Sequence, residues 1–234
     1  MSHKNPVRTV GTARHLVLRG HDGLPCFIAD EDYLVFLDCL KEEAQRHQCS
    51  IHAYALLADQ VHVLASADAG DRLALMMRGV SGRYVDYVNY IYQRNGAFWE
   101  GRRESTAIDS ERCLLDCHRD IEWHPVRARV AASPAEYRWS SYEHHAHGRE
   151  DGVIRDHPAY LGLGTTQDER QLTYRELFHP PLPERAPAEF RAAGHRVHEP
   201  AETWSRDRFE RQARRARPRR NAKPWLAVHA AAAA

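Results

Sequence analysis

A chain of 234 residues with 43% hydrophobic and 9% aromatic content can bury a sizeable core, and it reads as one principal domain followed by a tail. No apolar run approaches the ~18 residues a membrane helix needs, and the first eight residues lack the apolar centre of a signal peptide. These features set aside membrane-spanning and exported classes and give the expectation of a cytoplasmic protein. The formal net charge of +1 hides an asymmetry: between Arg206 and Lys223 nine Lys or Arg face only Asp207 and Glu210, while the rest of the chain holds 24 basic and 30 acidic residues. A basic tail on a mildly acidic body reads either as an arm for phosphates or as a solvated end.

In chain order, residues 13–19 are predicted as a first strand, closed by Gly20-His21-Asp22-Gly23. Asp30 is the expected N-cap of a helix to about Gln48, because Tyr33, Leu34, Phe36, Leu37, Leu40 and Ala44 recur at helical spacing. Residues 51–57 and 60–66 are apolar runs split by Ala58-Asp59, which reads as a hairpin. A second helix is predicted over 72–93, a fourth strand over 98–108, and a third helix from Ser110 to about Trp123, ending against Pro125. The order strand, helix, strand, strand, helix, strand defines the fold class: α+β, a ferredoxin-like split βαβ with an antiparallel sheet and helices on one face, plus a helical or irregular basic C-terminal tail.

Beyond Ser133 the pattern is irregular. His144-His145-Ala146-His147 reads as a flexible surface loop, with adventitious metal binding as the lesser alternative, residues 167–178 as a helix, and Pro180, Pro181, Pro183 and Pro187 as a linker before a last helix over 207–215. The five cysteines are odd in number and lack CxxC spacing, so reduced core thiols are expected instead of disulfides or a zinc ribbon.

Side chains two apart in a strand share a face, so Gln60 and His62 project together; side chains four apart in a helix do likewise, which joins Asp120 to His124. Should that helix lie over the face carrying Gln60 and His62, two imidazoles, an amide and a carboxylate converge, a donor set suited to Mg²⁺ or Mn²⁺. Taken alone, a histidine between Val61 and Val63 is more often a hydrogen-bonded core or surface residue than a ligand.

The segments carrying these residues, Leu57-Ala58-Asp59-Gln60-Val61-His62-Val63-Leu64 and Arg119-Asp120-Ile121-Glu122-Trp123-His124-Pro125-Val126-Arg127-Ala128, resemble those of the IS200-like, REP-associated single-tyrosine (HUH-type) transposases. There the first reads close to Met-Pro-Asn-His-Val-His-Leu-Leu and the second close to Tyr-Ile-Glu-Leu-Asn-Pro-Val-Arg-Ala. Arg94-Asn95-Gly96-Ala97-Phe98-Trp99-Glu100-Gly101-Arg102 and the segment from Pro134 to Tyr142 extend the resemblance over most of the chain. It implies a transposase domain over 8–165 with a C-terminal extension and basic tail over 166–234, a divalent metal (Mg²⁺ or Mn²⁺), single-stranded or hairpin DNA as partner, and a homodimer. Carried over residue by residue, the metal set falls on Gln60, His62 and His124, and the nucleophilic tyrosine falls on Asp120.

An aspartate there would form an acyl phosphate that water opens, so strand transfer is expected to be impaired. Two further readings stay open: a hairpin-binding module without chemistry, and a metal-dependent nuclease that uses water. Whether the chain is an enzyme is therefore left open. For contacts to unpaired DNA, arginines interleaved with aromatics nominate Arg83, Arg94, Arg102 and Arg127, with Tyr84 and Trp99 as stacking platforms. Each arginine alone also reads as a solvated surface charge.

Overall fold

The computed structural model describes residues 11–69, 71–94, 96–101 and 104–179. The Pro-rich linker, the basic segment 206–223, the expected helix 207–215 and Arg102 lie outside them. Four strands, β1 (Arg14–Arg19), β2 (Cys49–Leu56), β3 (Gln60–Ala67) and β4 (Glu104–Ala107), pair antiparallel in the order β2-β3-β1-β4. With helices α1 (Asp30–Arg46) and α2 (Arg72–Ile91) this is the α+β, ferredoxin-like arrangement expected.

Strand alternation divides the sheet into two apolar faces. Leu16 and Leu18 of β1 and Val61, Val63 and Ala65 of β3 join Phe36, Leu40, Met76, Val80 and Tyr84 in one core beneath α1 and α2. The opposite face carries Ala53, Ala55 and Leu64, on which Leu114, Cys117 and Ile121 of α3 (Glu111–Arg127) pack. Small side chains let this third helix approach the strands closely, and Ser110 starts it by accepting from Cys113 N at 3.2 Å. The expectation of helices on one face therefore holds for α1 and α2 and is corrected for α3, whose apolar stripe needs a surface of its own.

Several other boundaries differ from expectation. The fourth strand pairs with β1 only over Glu104–Ala107, whereas Trp99 makes an isolated bridge to Gly20; Gly96, at φ 108, turns the chain ahead of it. Asp30 does not cap α1. The N-terminal N–H groups of Ile28 and Ala29 are taken by Asp32 Oδ2 at 2.8 and 3.0 Å, and this buried carboxylate also accepts from Tyr87 and Tyr92 at 2.9 and 2.8 Å. α3 does not stop before Pro125 but runs to Arg127, since a proline in the last turn forfeits one backbone bond without blocking the next, Ala128 N to His124 O at 2.8 Å.

The histidine-rich stretch is not a loop. Tyr142–His147 forms α4, with His145 fully buried, and α5 (Pro158–Leu161) and α6 (Gln167–Glu176) close a third layer through Tyr142, Tyr160, Tyr174 and Phe178. α6 begins the segment expected as an extension, and its Tyr174 is wholly enclosed by the domain. All five cysteines are unpaired thiols. No helix among the described residues is long and apolar enough to cross a membrane.

A candidate active centre between the sheet and α3

Gln60 and His62 project from β3 towards α3, where Asp120 and His124 sit one turn apart and face them. The His62 and His124 ring centroids are 4.4 Å apart, and Gln60 Nε2 is 2.7 Å from His124 Nε2. All four side chains are buried. Asp120 is held by Arg127, whose Nη1 lies 2.7 Å from Oδ1 while Nη2 donates to the Asp120 carbonyl at 2.8 Å and lies 3.1 Å from His124 Nδ1.

Two further residues belong to this centre and were not singled out from the sequence. His15 of β1 places Nε2 3.0 Å from His62 Nδ1, and Arg19, opposite Gln60 in the β1–β3 register, donates to Gln60 Oε1 at 3.1 Å. The odd-numbered positions of β1 face α3, which is readable from alternation; which β3 residues they meet depends on register between distant strands, which is not.

Burial, helped by the neighbouring imidazoles and by Arg19 and Arg127, pushes the His62 ring well below its ordinary value, and burial with the charges of Arg127 and Arg19 brings His15 to about 4. Both rings are neutral at pH 7, the state in which imidazole ligates metals. His62 Nε2 is enclosed and has no hydrogen-bond partner. It therefore fits a metal ligand. Gln60 fits through its oxygen once the amide is turned, and His124 fits in the tautomer carrying its proton on Nδ1, against which Arg127 competes.

The nominated DNA contacts fare differently. Arg127 is at the centre. Tyr84 is fully buried in the core beneath α1 and α2, with its hydroxyl donating to Cys26 O at 2.6 Å, so it cannot stack on bases. Trp99 is half-buried against Tyr84, Phe36 and Phe98, Arg94 is buried over the Phe98 ring at 4.9 Å, and Arg83 is paired with Glu42 and Glu43. Tyr84 and Trp99 thus pack in and against the core beneath α1 and α2, and Arg83 ties α2 to α1 through its ion pairs.

A four-stranded antiparallel sheet with α1 and α2 on one face and α3 on the other defines a class of fold, and it has a counterpart among solved structures. A structure of a REP-associated tyrosine transposase bound to a REP hairpin superposes at a TM-score of 0.51 and 14% identity, over 68% of this chain and 96% of that one. A crystal structure of a candidate transposase from Deinococcus radiodurans matches at 0.38 and 15% identity, over 50% of this chain and 93% of the other. No family model and no curated protein matches the chain. At this identity the likeness establishes the fold: the chain has the fold of the REP-associated tyrosine transposase.

Proposed function

We propose that the chain is a transposase-family protein that binds hairpin DNA at the face between β3 and α3, with strand transfer impaired. The observation that carries this reading is the salt bridge between Asp120 and Arg127 beside the His62 and His124 rings. The neighbour that shares the fold is bound to a REP hairpin, which makes a DNA hairpin the partner to test first.

Gln60, His62 and His124 are the residues that would hold a divalent cation, Mg²⁺ or Mn²⁺, which when bound polarises a scissile phosphate. The other roles fall to the chain itself. Arg127 and Arg19 supply guanidinium groups for a phosphate brought to this face. His15 holds the His62 ring in orientation. Asp120 shares its charge with Arg127, and a carboxylate in a salt bridge is a poor nucleophile. A homodimer belongs to the same reading, and sedimentation of the full chain tests it.

A labelled single-stranded hairpin, incubated with protein and Mn²⁺ and resolved under native and denaturing conditions, decides between outcomes. The expected result is a bound, intact strand for the wild type and a covalent adduct for Asp120→Tyr. A wild type that fails to bind any hairpin at low salt overturns the reading; free cut strands favour water as nucleophile.

A further inference from the structure

Positions 118 and 122 lie on the side of α3 roughly opposite Asp120, and there the helix carries a second polar cluster with no part in the DNA chemistry proposed above. His118, Glu122 and, from α4, His145 are each wholly enclosed, and one donor atom from each lies within 4.8 Å of the others. We propose that His118, Glu122 and His145 form a buried site for a transition-metal ion of the zinc class, which fastens α3 to α4.

Unused donor atoms carry the inference. Both ring nitrogens of His118 are enclosed and have no hydrogen-bond partner, and His145 Nε2 is in the same condition. An imidazole in that position gains nothing over a leucine unless a nitrogen lone pair is used. Burial, aided by the surrounding histidines, keeps His118 neutral at pH 7, as ligation requires.

His145 is already oriented for the purpose. Its Nδ1 lies 2.8 Å from Glu122 Oε1, so in the tautomer with the proton on Nε2 the Nδ1 lone pair and that carboxylate oxygen can flank one ion as neighbouring ligands. Ser141 Oγ and Tyr174 Oη donate to the two Glu122 oxygens at 2.6 and 2.7 Å and fix the carboxylate in turn. Two imidazoles and one carboxylate suit zinc better than the all-oxygen surroundings that magnesium and calcium favour, with water able to fill a fourth position. A cation also offsets the enclosed charge of Glu122.

The neighbouring group of His144, His145 and Asp156 is the weaker candidate, because His144 and Asp156 are paired with each other at 3.0 Å and His144 Nδ1 is engaged by Arg149 O. The consequence for the molecule is mechanical: the ion would hold the helix that presents Asp120 and His124.

The test is a Zn²⁺ titration of the full chain after treatment with a chelator, read by calorimetry and by thermal unfolding, with Co²⁺ absorption as a readout of ligand geometry. A Gln60→Ala, His62→Ala, His124→Ala background removes the candidate ligands of the centre between β3 and α3. In that background one equivalent of Zn²⁺ is expected to bind and raise Tm, and His118→Leu is expected to fold, to melt no lower than its metal-free parent, and to lose Zn²⁺ affinity at least 100-fold. Tyr174→Phe should weaken binding about 10- to 100-fold while leaving the stoichiometry unchanged. Zn²⁺ binding that is undiminished in His118→Leu, that disappears in His144→Ala, or that is absent from the parent overturns the proposal.

Discussion

His15 and His62 face each other across the β1–β3 pair, with His15 Nε2 3.0 Å from His62 Nδ1 and both rings enclosed between the sheet and α3. Two neutral imidazoles can share this contact in two ways. If His62 donates from Nδ1, its Nε2 keeps a lone pair; if His15 donates, His62 Nε2 carries the proton and cannot ligate. Metal binding therefore selects the first tautomer, and His15 becomes the acceptor that stabilises it. His15→Leu is expected to weaken Mn²⁺ binding by about 10- to 100-fold with the fold retained, as measured by titration alongside circular dichroism. Unchanged affinity would mean that His62 is not a ligand.

Arg127 has two opposed effects on the centre. Its Nη2 lies 3.1 Å from His124 Nδ1 and favours the tautomer with the proton on Nε2, while its charge suits a phosphate. Arg127→Leu should therefore bind Mn²⁺ more tightly and hairpin DNA less tightly. The salt dependence of DNA binding should become shallower by about one unit in log K against log salt, the loss of one phosphate contact. Equal changes in both affinities, or none in either, would count against the assignment.

Local periodicity made much of this centre legible. Alternation in β3 placed Gln60 beside His62, and the four-residue spacing in α3 placed Asp120 beside His124. Small residues on β2, Ala53 and Ala55, mark the face that α3 covers, but only the folded register shows it. His15 and Arg19 were hidden for the same reason: their partners are set by pairing between strands far apart in sequence. The arginines are hard to rank for another reason. Nothing local distinguishes Arg127, which faces the histidines, from Arg83, whose charge is consumed by Glu42 and Glu43 of a different helix.

Tyr84 provides the sharpest check on that correction. Its hydroxyl donates to Cys26 O at 2.6 Å inside the core, and burial raises its pKa well above the ordinary phenol value. Tyr84→Phe leaves the carbonyl without this donor and should cost about 1–2 kcal/mol in urea unfolding. Hairpin affinity should not change. A tyrosine that stacked on bases would keep its platform as phenylalanine and lose it as leucine, so Tyr84→Leu distinguishes the cases: it should lower stability sharply, and whatever folds at low temperature should still bind the hairpin.

His52 gives the fold a dependence on pH. It occupies the irregularity between Ile51 and Ala53 in β2, with Nδ1 2.8 Å from Arg155 O and Nε2 2.8 Å from Ser66 Oγ. Burial lowers it from 6.5 to about 4, only partly countered by the bond to the Arg155 carbonyl. The unfolded chain thus takes up a proton at a pH where the folded chain does not. The stability this imidazole contributes is complete above pH 6.5 and is lost as pH falls from 6.5 towards 4. Between pH 7.5 and pH 5 the loss is about 2 kcal/mol from His52 alone. Urea unfolding of wild type and His52→Gln at the two pH values, with chelator present, measures it: the variant starts less stable and should lose about 2 kcal/mol less on acidification. Parallel losses in the two proteins would show that His52 titrates normally in the folded state.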